Sequence, residues 1–261
     1  MTDATHTAAA PVSVVHRGSA LLALFRADAT IAVKNRRAAV LSLLLPFVVL
    51  FSTHGAKATA RLGGSLFVIG LAISYGLAAN GLLGYAMTVA RDRDQGVFQR
   101  LRVTPVPTWA IMGSRIVVQL VTDLVIAIVV LVIGSRVHHV PVSVTTYALV
   151  LAISVYASAI FLAIGQALVG LMKSADTVNA GGRILFGGLI ILGLFGASGT
   201  LGGVWESISH WSPVGVVMNL FAGVITTSSW SSTDTLALIV GAGYTAVCFA
   251  IGVRWFQWEA R

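Results

Sequence analysis

Residues 109–134 read WAIMGSRIVVQLVTDLVIAIVVLVIG. A helix that crosses a bilayer needs roughly 20 mostly apolar residues, and this stretch exceeds that length with only Arg115 and Asp123 charged. Five more apolar stretches flank it, at 38–54, 63–90, 144–171, 184–203 and 235–256. The first is short and holds Pro46, and the fifth is rich in glycine. None alternates apolar and polar residues as an outer-membrane barrel strand does. The expected fold is an all-α integral membrane protein, a six-span helical bundle.

Composition points the same way. Of 261 residues, 57% are hydrophobic and 10% charged, with a mean hydropathy of +0.90. A soluble domain carries about 25% charged residues, so this chain cannot cover a water-facing surface. A soluble enzyme, a disordered tail and a nucleic-acid-binding module are excluded, despite the net charge of +8. The placement of that charge is more telling than its sum. With a cytoplasmic N-terminus, inside segments hold 14 of the 17 Lys and Arg residues, and outside segments hold only Lys57, Arg61 and Arg136. The positive-inside rule then places both termini in the cytoplasm of a multi-pass protein of the cell (plasma) membrane.

Residues 1–18 read as a cytoplasmic leader, without the short apolar core and small-residue site of a cleaved signal peptide. Residues 19–37 differ. Leu21, Phe25, Ala29 and Val33 recur every four residues, beside a polar stripe of Arg26, Thr30, Lys34 and Arg37. That pattern suits an interfacial amphipathic helix, although a cytosolic helix capping the bundle would look the same. Residues 38–261 form the transmembrane domain. Residues 172–183 read as a short inside loop. Residues 204–234 read as the longest outside segment, whose apolar run 214–225 is too short to span. That run is expected to be re-entrant or interfacial, with Trp205, Trp211 and Trp230 at headgroup depth. The glycines of span five, Gly187, Gly188, Gly193, Gly196, Gly199 and Gly203, suit either a moving seam between subunits or static packing.

Catalytic patterns are missing. None of Lys34, Lys57 and Lys173 closes a phosphate-binding loop, and no nucleophile elbow or paired zinc histidines occur. His138 and His139 lie in a short loop without a carboxylate or thiol at ligand spacing, so no metal site is expected. The single cysteine, Cys248, cannot form an internal disulfide. The chain is not expected to be an enzyme.

The most polar stretch is 91–108, RDRDQGVFQRLRVTPVPT. Within it, Asp94, Gly96, Phe98, Arg100, Leu101, Thr104 and Pro105 form DQGVFQRLRVTPV, which resembles the E-x-G-T-L-E-R-L-x-x-T-P-V signature of type-2 ABC exporter permeases. Asp94 stands for the usual Glu, and Gln99 for another acidic residue. The helix before span one, the six-span layout, the segment before span six and the ending Phe256-Gln257-Trp258-Glu259 extend the resemblance over nearly the whole chain.

That resemblance implies a permease subunit of an ATP-driven exporter. Its partners would be ABC ATPase subunits, an identical or related second permease, and membrane lipids. No cofactor would sit on this chain, because ATP and magnesium would be held by the ATPase. Cargo would be hydrophobic or amphipathic, as in multidrug efflux, antibiotic resistance or lipid transport. Residues 91–105 would form the coupling contact. Gly96 permits a tight turn, Pro105 restricts re-entry into the membrane, and Arg91, Asp92, Arg93, Asp94 and Arg100 offer charges to a partner. An ordinary basic loop that anchors topology is the plainer alternative.

Inside the membrane, Arg115, Gln119 and Asp123 fall on one helix face. A lone carboxylate at that depth costs about 2.5–3.5 kcal/mol, so Asp123 must face protein or water. Asn80, Gln119, Asp123 and Gln166 either line a substrate route or join helices to one another. An ion-gradient-driven transporter using Asp123, or a non-transporting membrane assembly protein, are the competing functional classes.

Overall fold

The structure is a computed structural model, which describes residues 25–30, 34, 36–55, 59, 64–102, 108–198, 203–225 and 231–255. Among the described residues from Arg36 onward the regular elements are all helices. In chain order these are α1 (Arg36–Ser52), α2 (Ser65–Asp94), α3 (Val97–Arg102), α4 (Thr108–Val137), α5 (Val144–Leu171), α6 (Ala175–Ser198), α7 (Gly203–Trp211), α8 (Pro213–Ile225) and α9 (Ser232–Arg254). Five of them, α2, α4, α5, α6 and α9, are long and apolar enough to cross a membrane. The first expected span is α1, whose 17 residues lie at the lower limit of spanning length.

The helix α2 is the centre of the bundle. Every residue from Val68 to Ala79 is buried, in a core that also takes Leu50 of α1, Leu131 of α4, Phe161 of α5 and Phe221 of α8. A helix that is apolar all round is buried on all sides, and 65–79 holds no charged residue. Where α2 meets α5 the backbones touch. A Cβ on Gly165 would stand 2.5 Å from the Gly81 carbonyl oxygen, so glycine is required for this approach. From Asn80 to Tyr85 the helix widens into a π-turn, a rare form that recurs at functional sites.

One boundary departs from expectation. The helix α6 begins at Ala175, not 184, so most of the expected inside loop 172–183 is helical. Its polar first turns are held from outside by Asp94, whose Oδ2 accepts the Ala175 N–H at 2.7 Å, and by Ser174, whose hydroxyl accepts from the Thr177 N–H at 3.3 Å. The segment 204–234 is also mostly helical. It forms α7 and α8, with a break at Ser212 whose hydroxyl accepts the Gly215 N–H at 3.1 Å. Val214, Val217, Leu220 and Phe221 of α8 are buried, whereas Val204, Trp205 and Ile208 of α7 are exposed.

Residues 25–30 are helical, with Arg26 and Thr30 exposed and Phe25 and Ala29 half-buried. Asp28 ties this segment to α4 by accepting the Ser114 hydroxyl at 2.6 Å. The leader 1–18 lies outside the described residues, as do Thr104, Pro105, Trp230 and the 256–261 ending.

Candidate functional site

At one end of the bundle, α2 stops at a glycine. Gly96 has φ +68° and its N–H donates to the Arg93 carbonyl at 3.0 Å, the left-handed stop that ends many helices. The chain turns and immediately starts α3, whose Arg100 N–H donates to the Gly96 carbonyl at 3.2 Å. A tight turn and a short helix therefore follow α2 directly.

The charges around this turn are bound inward more than the sequence implied. Arg93 is 2% exposed, and its Nη1 donates to the Val169 carbonyl at 2.8 Å. Val169 lies in the last turn of α5, where carbonyls lack helical partners and a cation is favoured by the helix dipole. Asp94 does the converse for α6, placing a carboxylate on the first N–H of that helix. Its Oδ1 lies 3.6 Å from Arg93 Nε. Asp92 Oδ2 meets Arg115 Nη1 of α4 at 2.5 Å. The Arg115 guanidinium stands 4.8 Å from the centroid of the Phe98 ring, a cation–π distance.

Phe98 anchors α3. It is 1% exposed, within a cluster that includes Tyr85, Val89, Ile111, Leu162, Val169 and Val178. Arg91, Asp94, Gln95, Gln99 and Arg100 are exposed at this turn. Among the expected partner-facing charges, Asp92, Arg93 and Asp94 are each engaged within the chain. Leu101 lies in α3, but its side chain is outside the described residues, like Thr104 and Pro105. Sequence reasoning missed the partners of Arg93, Asp92 and Arg115 because a charge in a loop or near the end of a span looks solvated until its neighbours are known.

Deeper in the bundle, the four polar residues separate into two contacts. Asn80 Nδ2 donates to Asp123 Oδ1 at 2.6 Å, and Gln119 Nε2 to the Asn80 carbonyl at 3.4 Å. Asp123 is fully buried. Ser158 is a second polar neighbour, but its hydroxyl donates to the Ser154 carbonyl at 2.8 Å, and Asp123 Oδ2 has no hydrogen bond. Asn80 is the first residue of the π-turn, so the contact fastens α4 where α2 is distorted. Gln166 is elsewhere. Its Oε1 accepts the Tyr85 hydroxyl at 2.8 Å, at the last residue of the same π-turn. Both ends of the irregular turn are thus held by side-chain hydrogen bonds.

At the opposite end, His54 joins His138, with ring centroids 6.4 Å apart, and both line a pocket with Thr59, Ser65 and His139. Burial holds the His138 imidazole below its ordinary pKa, and the neighbouring His54 and His139 push the same way against a backbone hydrogen bond at Leu50. Among the described residues no three His, Cys, Asp or Glu side chains are grouped to hold a metal ion. Gly187 and Gly188 face open space, while a Cβ on Gly193 would meet the Tyr75 hydroxyl at 2.5 Å. Only part of the span-five glycine set is spent on packing within this chain.

A bundle of five long apolar helices, with the charged turn at the end of α2 braced to α4, α5 and α6, defines a multi-pass membrane protein. The family described as ABC-2 type transporter matches residues 19–226. The chain belongs to that family. It is a permease subunit of an ABC transporter, not itself catalytic, and the family implies partnership with ABC ATPase subunits that hydrolyse the nucleotide. No curated protein sequence matches the chain.

Proposed function

We propose that this chain is the transmembrane subunit of an ATP-driven exporter, and that the Gly96 turn with α3 is its contact with the ATPase. The observation behind this reading is the bracing of that turn. Arg93 holds the end of α5, Asp94 the start of α6, Asp92 the start of α4, and Phe98 lies beneath Arg115. A push on α3 would be passed to four spanning helices as a unit, because packed interiors transmit displacement instead of absorbing it. A loop that served only as a topological anchor would need basic charge but no such bracing.

In this reading the turn and both termini are cytoplasmic, α1 is the sixth span, and the membrane is the cell (plasma) membrane. Two permeases, identical or related, pair above two ATPases that hold ATP and magnesium. Arg91, Gln99 and Arg100 meet the ATPase surface. Cargo is hydrophobic or amphipathic, a drug or a lipid, since few charges lie within the spans.

Co-expression with the cognate ATPase subunit tests it. The two should co-purify in detergent, and Arg100→Glu should leave the chain inserted while separating ATP hydrolysis from transport. Full transport by Arg100→Glu, or labelling of a cysteine at position 96 from outside intact cells, would sink the proposal.

A further inference from the structure

At the end of the bundle away from the Gly96 turn, α7 and α8 fold over the ends of α2 and α6. Phe67 of α2 is 26 residues before Arg93, about 39 Å at 1.5 Å per residue. Between these elements is a pocket lined by Phe67, Glu206, Ser209, His210, Met218 and Asn219. Its frame is set by hydrogen bonds. The Ser209 hydroxyl donates to the Leu192 carbonyl at 2.6 Å, which fixes α7 on α6. Asn219 Nδ2 faces the His210 ring nitrogens at 3.2 and 3.4 Å and the His210 carbonyl at 3.3 Å. With its amide nitrogen so engaged, Asn219 presents its oxygen as an acceptor.

The charge of this pocket is one-sided. Glu206 has no ion pair or hydrogen bond with the described residues, and residues 184–253 contain no Lys or Arg at all. His210 is the single titratable group beside the carboxylate in the pocket lining. A carboxylate, an amide oxygen and a hydroxyl oxygen, set against one aromatic ring and a thioether, are acceptors without a fixed cation. Such a mixture of apolar wall and a few oriented polar groups is what small-molecule sites present, and an aromatic face adds attraction for an organic cation. Beside it, Val204, Trp205 and Ile208 are exposed on α7. That apolar surface suits a hydrocarbon tail at the membrane interface.

We propose that this pocket binds the ammonium head group of an amphipathic cation, with Glu206 as the counter-ion. The binding site stands on the pocket alone, and its occupant being cargo rests on the permease reading above. The ammonium can belong to a soluble amphipathic amine or to a phospholipid head group.

The full chain in nanodiscs is titrated with dodecyltrimethylammonium and with dodecyldimethylamine oxide, which has the same tail and no net charge near neutral pH. The cation should bind more tightly. Glu206→Gln should weaken it about tenfold, equivalent to about 1.4 kcal/mol, and leave the uncharged probe unchanged. Glu206→Asp should retain binding, which guards against loss of folding. Nanodiscs of phosphatidylethanolamine in place of phosphatidylglycerol separate the sources. Competition by the former identifies a lipid head group, and its absence a soluble amine. Equal binding of both probes, or undiminished binding by Glu206→Gln, overturns the proposal. If that happens while the ATPase subunit still co-purifies, the exporter reading stands without this site. Binding of the cation without any ATPase complex would leave the site and remove the ATP-driven exporter reading.

Discussion

Arg93 and Asp94 are neighbours in sequence and serve opposite ends of two successive helices. The Arg93 guanidinium takes a carbonyl from the last turn of α5, and the Asp94 carboxylate takes the first N–H of α6. Each charge has the sign that its helix end favours, so the end of α2 clamps the turn between α5 and α6. Arg93→Ala should lower stability by about 1.5–3 kcal/mol, the range for hydrogen bonds to charged groups. Asp94→Ala should cost less, since its carboxylate is about a third exposed. Thermal melting of the purified variants in detergent checks the order; equal and negligible losses would dissolve the clamp.

Gly96 ends α2 with a positive φ, in space that is otherwise open, since the nearest atom to an added Cβ is Gln99 Oε1 at 3.5 Å. The constraint is the backbone alone. Gly96→Ala should therefore cost about 1–2 kcal/mol, the left-handed penalty of an L residue, with insertion preserved. Gly96→Pro should disrupt far more, because proline cannot adopt positive φ and removes the N–H given to Arg93. Comparing melting temperature and ATP-coupled transport for the two variants tests this ranking.

Asp123 and Asn80 separate structural from transport roles. Asp123→Ala strands a buried amide donor and should destabilise by about 1–3 kcal/mol. Asp123→Asn keeps a carbonyl oxygen for Asn80 and should remain near wild type in stability. A changed transport rate in Asp123→Asn at unchanged stability would show that the carboxylate acts beyond the helix contact. Stability unaffected by Asp123→Ala would show that the contact does not hold the π-turn.

His138 predicts a pH dependence. Burial, together with His54 and His139, lowers its pKa below 6.5 in the folded chain. As pH falls through 6.5 the unfolded chain binds a proton that the folded chain refuses, so stability is lost from there down to the folded value. The melting temperature should decline between pH 7 and 5, and His138→Gln should flatten that decline. An unchanged slope in the variant would assign the effect to other groups.

The long apolar runs determined that this is a helical membrane protein, because only helices and closed barrels satisfy backbone groups in lipid and none of the runs alternates as a barrel strand does. The charge asymmetry pointed to the topology, and the resemblance of the DQGVFQRLRVTPV stretch pointed to the family and to the turn at Gly96. Helical spacing placed Gln119 and Asp123 on one face. Only the tertiary structure decided which partners they have, for a hydrogen bond between Asn80 and Asp123 joins residues 43 positions apart. It also decided that Arg93 is buried and Arg100 exposed, two residues indistinguishable by charge or by position in a polar loop. The early start of α6 was hidden for the same reason. Residues 175–183 are too polar to read as a span, and they become helical because Asp94 of another helix supplies the missing acceptor at their first turn.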